Sequence, residues 1–280
     1  MARDYFKFQN IGPMKPDSYK DIVGRIKNAL EAARASISSF VPGAITVEFK
    51  VGDDPITEAD RTANRVLREA LQREGEGWLS EETFDDATRL DYQRVWIVDP
   101  LDGTREFVAG ATEWCISVCY VENEKAIAGG ICNPATGEVF LGALDQGVTL
   151  NGEPVCVSKC RRLSGAVVLA SRSEVQRGEW DRFKQASFVT RPTGSVAYKL
   201  ARIAAGLGDA TWTLTPKNEW DIAAGVALIE SAGGLARNLD NSAIRFNQEC
   251  PRLPGIVACG PHLMEEVRRF IRGLEGVQRK

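Results

Sequence analysis

The chain has 280 residues, 44% of them hydrophobic, with 35 Lys and Arg against 38 Asp and Glu and a formal net charge of -3. That length and apolar content supply a large core in one or two domains, and the near-even charge gives no reason to expect a nucleic-acid polymer or an anionic membrane as partner. No apolar run is as long as a membrane span, and the start Met1-Ala-Arg-Asp-Tyr-Phe-Lys lacks the apolar stretch of a signal peptide, so a soluble cytoplasmic protein is expected.

In chain order, Ile22, Val23, Ile26, Leu30, Ala33 and Ile37 recur at helical spacing and predict an amphipathic helix from Tyr19 to Phe40. Ile45, Val47 and Phe49 alternate as a short extended piece. Ala63, Val66, Leu67, Ala70 and Leu71 place a second helix over Asp60 to Arg73, and Val95 to Val98 is an apolar strand. Trp114–Val121 and Ala126–Cys132 are expected strands around an Asn-Glu-Lys turn. Val139–Ala143 and Val148–Leu150 follow, then an Asn151-Gly152 turn, a strong hairpin signal, and Val155–Val157. This stretch predicts an antiparallel meander. Beyond Arg161 the rhythm alternates: strand Ala166–Ala170, helix Val196–Ala205, strand Ala210–Leu214, helix Ile222–Ser231 closed by Gly233-Gly234, strand Ile256–Cys259 and helix Leu263–Leu274. Such alternation predicts a layered α/β part. With the boundary placed near Lys159–Ser164, the N-terminal part is residues 1–160 and the C-terminal part 161–280. No internal repeat or low-complexity segment is present.

Seven Cys occur, an odd number, and the pairs Cys115/Cys119 and Cys156/Cys160 lie in strand-like sequence, so buried free thiols are expected. The one His, His262, precedes the closing helix, where a cap or surface position is expected. Ser-His and Cys-His mechanisms are therefore disfavoured, and acid, base and metal duties fall on Asp and Glu.

Four acidic clusters carry the chemistry. In Trp96-Ile97-Val98-Asp99-Pro100-Leu101-Asp102-Gly103-Thr104 two carboxylates stand three positions apart where a buried strand breaks into a turn. Paired carboxylates there are costly unless a cation offsets them, and hard oxygen donors select Mg2+ or Ca2+. Pro100 stiffens the bend, Gly103 admits close backbone approach, and Thr104 offers a hydroxyl at a helix start. The others are Asp53-Asp54-Pro55-Ile56-Thr57-Glu58-Ala59-Asp60, Ser80-Glu81-Glu82-Thr83 and Asn218-Glu219-Trp220-Asp221. Taken alone, Asp60 and Asp221 are equally readable as helix caps and Glu81-Glu82 as a solvated loop.

Together, Glu81-Glu82, the Asp99–Thr104 motif and Trp220-Asp221-Ile222-Ala223-Ala224-Gly225 resemble, in this order, the inositol monophosphatase superfamily of Mg2+-dependent, lithium-sensitive phosphomonoesterases. The resemblance covers the whole chain. It implies a layered αβαβα sandwich with an antiparallel N-terminal sheet, a mixed C-terminal sheet and the active site between them. It also implies two to three Mg2+ ions. One is held by Glu81, Asp99 and the Leu101 carbonyl, a second by Asp99, Asp102 and Asp221, and a weaker third is assisted by Glu81. Asp99 then bridges metals roughly 3.5–4 Å apart. Thr104, paired with Asp60, orients and deprotonates the attacking water. Gly103 and Thr104 N–H groups grip the phosphate, and displacement is in line without a phosphoenzyme.

Within that superfamily, inositol-specific members carry an acidic residue before the Trp-Asp motif; here Leu214 stands near that place. Ser171-Arg172-Ser173, Gly194-Ser195 followed by Lys199, and Asp102-Gly103-Thr104-Arg105-Glu106-Phe107 are similar to the 3'(2'),5'-bisphosphate nucleotidase branch, which hydrolyses adenosine 3',5'-bisphosphate. Arg172 and Lys199 suit a second phosphate, although surface cations would look the same in sequence. One departure from that branch is its Lys-x-Asp: here the run is Lys50-Val51-Gly52-Asp53, with the aspartate one position later. The best expectation is a bisphosphate nucleotidase. Inositol-1-phosphate or sugar-phosphate hydrolysis and a non-catalytic binding protein on the same fold stay open. A structural Ca2+ site is disfavoured by the absence of an EF-hand pattern. Relatives in this superfamily are often homodimers.

Overall fold

Ser18 opens the first helix of the computed structural model, which describes residues 18–50 and 54–277. Its hydroxyl accepts from the Asp21 N–H at 3.3 Å, while its own N–H and O–H donate to Asp21 at 3.2 and 2.7 Å, a reciprocal cap. The helix, α1 (Tyr19–Ser36), buries Ile22, Ile26, Ala29, Leu30 and Ala33. It stops four residues short of the predicted Phe40, because Ser36 and Ser38 hydroxyls bond back to the Ala33 and Ala35 carbonyls and compete with a further turn. Strands β1 (Glu48–Lys50) and β2 (Asp54–Ile56) form an antiparallel hairpin, slightly later than the expected extended piece. Asp53, where the Lys-x-Asp pattern departs, and the Met1–Lys7 start lie outside the described residues. Helix α2 (Glu58–Leu71) begins two residues before the predicted start, since Thr57 is its cap and Asp60 lies in its first turn.

A seven-stranded sheet follows: β3 (Gly77–Ser80), β4 (Arg94–Asp102), β5 (Cys115–Glu122), β6 (Lys125–Asn133), β7 (Glu138–Ala143), β8 (Gly147–Leu150) and β9 (Glu153–Val155), paired in that order. The short helix α3 (Thr104–Val108) lies between β4 and β5. From β4 onward the pairing is the expected antiparallel meander, with Asn123 and Glu124 at φ 50° and 64° and Asn151 and Gly152 at 51° and 87° making its tight turns. The expectation of a purely antiparallel sheet is corrected at one edge, where β3 runs parallel to β4.

The second sheet has the order β11-β10-β12-β16-β14, built from β10 (Val167–Ser171), β11 (Val189–Thr193), β12 (Ala210–Thr213), β14 (Leu235–Arg237) and β16 (Ile256–Cys259). It is mixed, as expected: β10 runs parallel to β11 and β12, and β16 antiparallel to β12 and β14. Around it lie α4 (Arg172–Gln176), α5 (Val196–Ala204), α6 (Glu219–Ser231) and α7 (Met264–Val277), with a two-residue ladder of β13 (Lys217–Asn218) against β15 (Arg252–Leu253). Strand β11 escapes the apolar pattern because it is an edge strand, with Val189 56% exposed and Pro192 one residue from its end.

Three apolar clusters fix the layers. One holds α1 and α2 on the outer face of the large sheet; a second buries α5 and α6 between the sheets; the third seats α7 on the far face of the small sheet. The result is the αβαβα sandwich. Cys115, Cys119, Cys132 and Cys259 are buried free thiols, but Cys156 and Cys250 are exposed and Cys160 is half-buried. The expectation for the Cys156/Cys160 pair is thus corrected: these residues lie past the end of β9, in the crossing between sheets, where no layer covers them. His262 is exposed just before α7. Among the described residues no helix is long and apolar enough to cross a membrane.

Gly129 and Gly130 let helices approach both faces of β6. A Cβ at Gly129 would stand 2.5 Å from the Ala224 carbonyl oxygen of α6, and one at Gly130 would press on Ile26 and Leu30 of α1. Because Ala224 presents backbone there, Gly129→Ala is expected to destabilise by about 1–3 kcal/mol, read as a lowered denaturation midpoint.

Candidate active site

The end of β4 carries an irregularity in its pairing with β5: Asp99 faces Ser117 and Asp102 faces Cys115, so three steps on β4 answer two on β5. This bulge re-aims the strand end, and the Asp99 and Asp102 carboxylates reach a common cavity of about 200 Å3. Pro100 lies within the bulge and forgoes a ladder donor. Asp99 is 1% exposed and accepts from the Leu101 N–H at 3.0 Å. Gly103 follows at φ 99°, a left-handed turn in which a Cβ would meet Glu113 O and Trp114 Cβ at 3.1 Å. Thr104 then begins α3.

Two helix starts converge on the same cavity. Asp60 accepts from the Thr57 N–H at 2.8 Å and the Thr57 hydroxyl at 2.6 Å through Oδ2, while Oδ1 faces the Thr104 hydroxyl at 3.1 Å. Asp221 caps α6 in the same way, accepting from the Asn218 N–H at 2.8 Å. Both are caps, and both also belong to the cavity region: Asp221 lines it, and Asp60 stands behind Thr104. Glu81 reaches it from the loop after β3, with Lys50 donating to Glu81 at 2.8 Å and to Glu82 at 2.5 Å.

The electrostatics are those of crowded acids. Burial, then the charges of Glu81, Asp102 and Asp221, hold the Asp99 carboxyl well above the usual range. Asp221 is raised by burial and then by Asp102 and Glu81. Asp102 is also raised by burial, opposed by hydrogen bonds at 2.6 Å from the Ser195 hydroxyl and the Ala197 N–H. Burial likewise raises Asp60. Among the described residues no three His, Cys, Asp or Glu side chains stand grouped in a geometry that could hold a metal ion as they are placed. The fit to a metal rests instead on the donor set: hard carboxylate oxygens, mutually repelling, around one cavity beside the Leu101 carbonyl, where divalent charge removes the repulsion.

Of the residues singled out in the sequence, the cavity gathers Glu81, Asp99, Leu101, Asp102, Gly103, Thr104 and Asp221. Arg172, Gly194, Ser195 and Lys199 do not line it. Arg172 donates to Glu113 from Nε at 3.0 Å and from Nη2, and Gly194 N–H donates to Glu113 at 3.4 Å. Ser195, at φ 54°, caps α5 by accepting from the Tyr198 N–H at 3.0 Å, and donates to Asp102. Lys199 is 2% exposed. Burial pushes its ammonium down to about 8, with Lys217 adding to that and Glu174, Asp102 and Glu106 opposing it. Sequence reasoning gave no role to Lys50, Glu106 or Lys217, although Lys217 immediately precedes the Asn218-Glu219-Trp220-Asp221 motif.

This combination, a sandwich of two sheets with acids and a Thr–Asp pair at their junction, defines a class of metal-dependent phosphomonoesterase. The inositol monophosphatase family profile matches residues 22–271, and the chain belongs to that family, whose members are metal-dependent phosphatases that generally use Mg2+. It is 34% identical over 226 residues to an inositol-1-monophosphatase of Mesorhizobium japonicum, covering 77% of this chain and 84% of that one. It is 33% identical over 229 residues to a 3'-phosphoadenosine 5'-phosphate phosphatase of Mycobacterium tuberculosis, covering 77% and 82%. The solved inositol monophosphatase of Anabaena superposes with a TM-score of 0.73 at 25% identity, covering 91% of this chain and 96% of that one.

Two outcomes are expected. Asp221→Ala should lose phosphatase activity while losing only about 1 kcal/mol of stability, the worth of a cap; activity retained in a steady-state assay would reduce Asp221 to a cap. Because the Asp99 carboxyl is raised, its charge opposes folding increasingly as pH climbs through the carboxylate range. Asp99→Asn should therefore melt higher than the parent protein in chelator at pH 7, yet be inactive with Mg2+.

Proposed function

We propose that this phosphatase is a 3'(2'),5'-bisphosphate nucleotidase, releasing the 3'-phosphate of adenosine 3',5'-bisphosphate. The observation that supports this reading is Lys217, a cation at the cavity wall with the buried Lys199 ammonium close by, positive charge that favours a second anion in the cleft. A substrate with a second phosphate supplies that anion; inositol hydroxyls do not. Arg172, neutralised by Glu113, stands further from this role than its place in the sequence suggests.

Glu81, Asp99, the Leu101 carbonyl, Asp102 and Asp221 would hold two to three Mg2+ ions, which supply positive charge to the phosphate oxygens and the departing alkoxide. The chain's own groups do the positioning. The Thr104 hydroxyl has one proton and two acceptors at 3.1 Å, Asp60 Oδ1 and the Leu101 carbonyl. With the proton donated to Asp60, the Thr104 oxygen accepts from the attacking water and fixes its line of approach. The buried Asp60, raised by burial, is the nearby base for the proton that water releases. Gly103 and Thr104 present backbone N–H groups to the phosphate. Ser195 and Ala197 hold one oxygen of Asp102 and so orient that carboxylate.

The test is Mg2+-dependent phosphate release from adenosine 3',5'-bisphosphate and inositol 1-phosphate side by side. Preference for the bisphosphate is expected, and preference for inositol phosphate would overturn the substrate assignment while leaving the phosphatase class standing. Lys217→Met should raise KM for the bisphosphate about tenfold or more, the worth of a charge-assisted contact. Since the Lys199 ammonium releases its proton near pH 8, bisphosphate KM should rise as pH climbs from 7 to 9, whereas the KM of a monophosphate substrate should not follow it.

A further inference from the structure

The motif Asn218-Glu219-Trp220-Asp221 contains a fully buried glutamate that the chemistry above does not use: Glu219 is 0% exposed. Its two oxygens accept from consecutive backbone N–H groups, Asn247 at 2.6 Å and Gln248 at 3.0 Å. Its own N–H donates to the Pro251 carbonyl at 2.9 Å. One residue earlier, Asn218 pairs with Arg252 in the short β13–β15 ladder. The first turn of a helix has no internal partners for its N–H groups, so segment 247–253 is what seats the start of α6.

That segment is in turn held from the other sheet. Arg89, 1% exposed, lies in the 3-10 turn Thr88–Asp91. Its Nη1 donates to Asn247 Oδ1 at 2.7 Å and its Nη2 to the Gln248 carbonyl at 2.9 Å. Asp85 takes Nε and Nη2 at 3.0 and 2.9 Å, which satisfies the guanidinium on its remaining side. Asn247 answers by donating its amide to the Arg89 carbonyl at 3.2 Å. Asp85 and Arg89 follow directly on the loop that carries Glu81 and Glu82. A continuous chain of hydrogen bonds, anchored on the buried Arg89 and Glu219, therefore runs from the segment after Glu81 to the start of α6, the helix that carries Asp221.

We propose that Arg89, Asn247 and Glu219 are positioning residues for the metal site: they strap the Glu81 side of the cleft to the start of α6 and so fix where Asp221 stands. The proposal rests on Asp221 being a metal ligand. A polar chain of this kind holds geometry more sharply than apolar packing does, because a partner lost leaves a buried group unpaired. Charged side chains on both sides of one loop fix its place in two directions.

The experiment is calorimetric titration of Mg2+ into chelator-stripped full-length protein, with the Mg2+ dependence of phosphate release as a second readout. Arg89→Met, Glu219→Gln and Asn247→Gly are each expected to weaken Mg2+ about tenfold, the usual loss when an outer partner of a metal ligand is removed. KM for the phosphate ester at saturating Mg2+ should stay within about twofold. Asn247 sits at φ 58°, which glycine adopts freely, so Asn247→Gly carries the test even where Arg89→Met does not fold. The Arg89→Met/Asn247→Gly double variant should bind no more weakly than the poorer single one, because both act through the same loop. Ile271→Ala, which loosens the outer core of the small sheet, should leave Mg2+ affinity as in the parent. Folded strap variants with parental affinity, or an equal loss in Ile271→Ala, would overturn the proposal. Asp221→Ala is titrated alongside. If it loses Mg2+ while the strap variants keep it, the positioning role alone fails; if it too keeps parental affinity, the ligand assignment beneath it fails.

Discussion

Mutual repulsion among acids at the end of one buried strand is the constraint around which this molecule is arranged. Asp99 and Asp221 both feel the charges of Glu81 and Asp102, and burial removes the water that would screen them. A fold does not gather such groups by default; each must be held against the tendency to part. The bulge and Pro100 hold two of them on a stiff strand end. Ser195 and Ala197 clamp Asp102 from α5, the α6 cap clamps Asp221, and Lys50 pairs with Glu81. Divalent positive charge in the cavity would relieve that repulsion.

The two helix caps show why local and functional readings of one residue need not compete. Asp60 and Asp221 both occupy the third position of a helix and both accept from the capping backbone N–H. A carboxylate has two oxygens and about four acceptor sites, so a cap takes one oxygen and leaves the residue able to serve the cleft. For Asp60 this division is visible: Oδ2 is the cap and Oδ1 meets Thr104. Tying the ligand to the helix start also makes its placement as rigid as the helix itself.

Much of this was legible in the sequence. Apolar periodicity located the helices and the meander, and the Asp-Pro-Leu-Asp-Gly-Thr run marked the strand end, because both signals are local and follow from spacing. What escaped is what depends on partners far along the chain. Strand β11 is polar and sits at an edge, so no apolar run announces it. Lys217 carried no signal of its own in the sequence; the fold brings it to the cavity wall. Arg172 looked available for a phosphate, yet Glu113, distant in sequence, occupies its guanidinium. Charge pairing across a fold leaves no periodic trace, so the acids were readable and their counter-charges were not.

That asymmetry carries over to specificity. Acids that hold a metal serve any phosphate ester, because they answer to the common phosphate and its charge. What distinguishes one ester from another lies away from the common phosphate, and beside the acid cluster this chain gathers Lys199 and Lys217 with Glu174 and Glu106 close by. Glu174 is committed: Thr213, Thr215 and Trp180 all donate to it, which with the nearby cations holds its carboxyl below the usual range although burial opposes this. A fixed, charged Glu174 keeps two lysines close together without neutralising both. Cations held in place by fixed acids keep their positions whatever the cleft binds, so the local charge pattern is part of the fold rather than a response to a ligand.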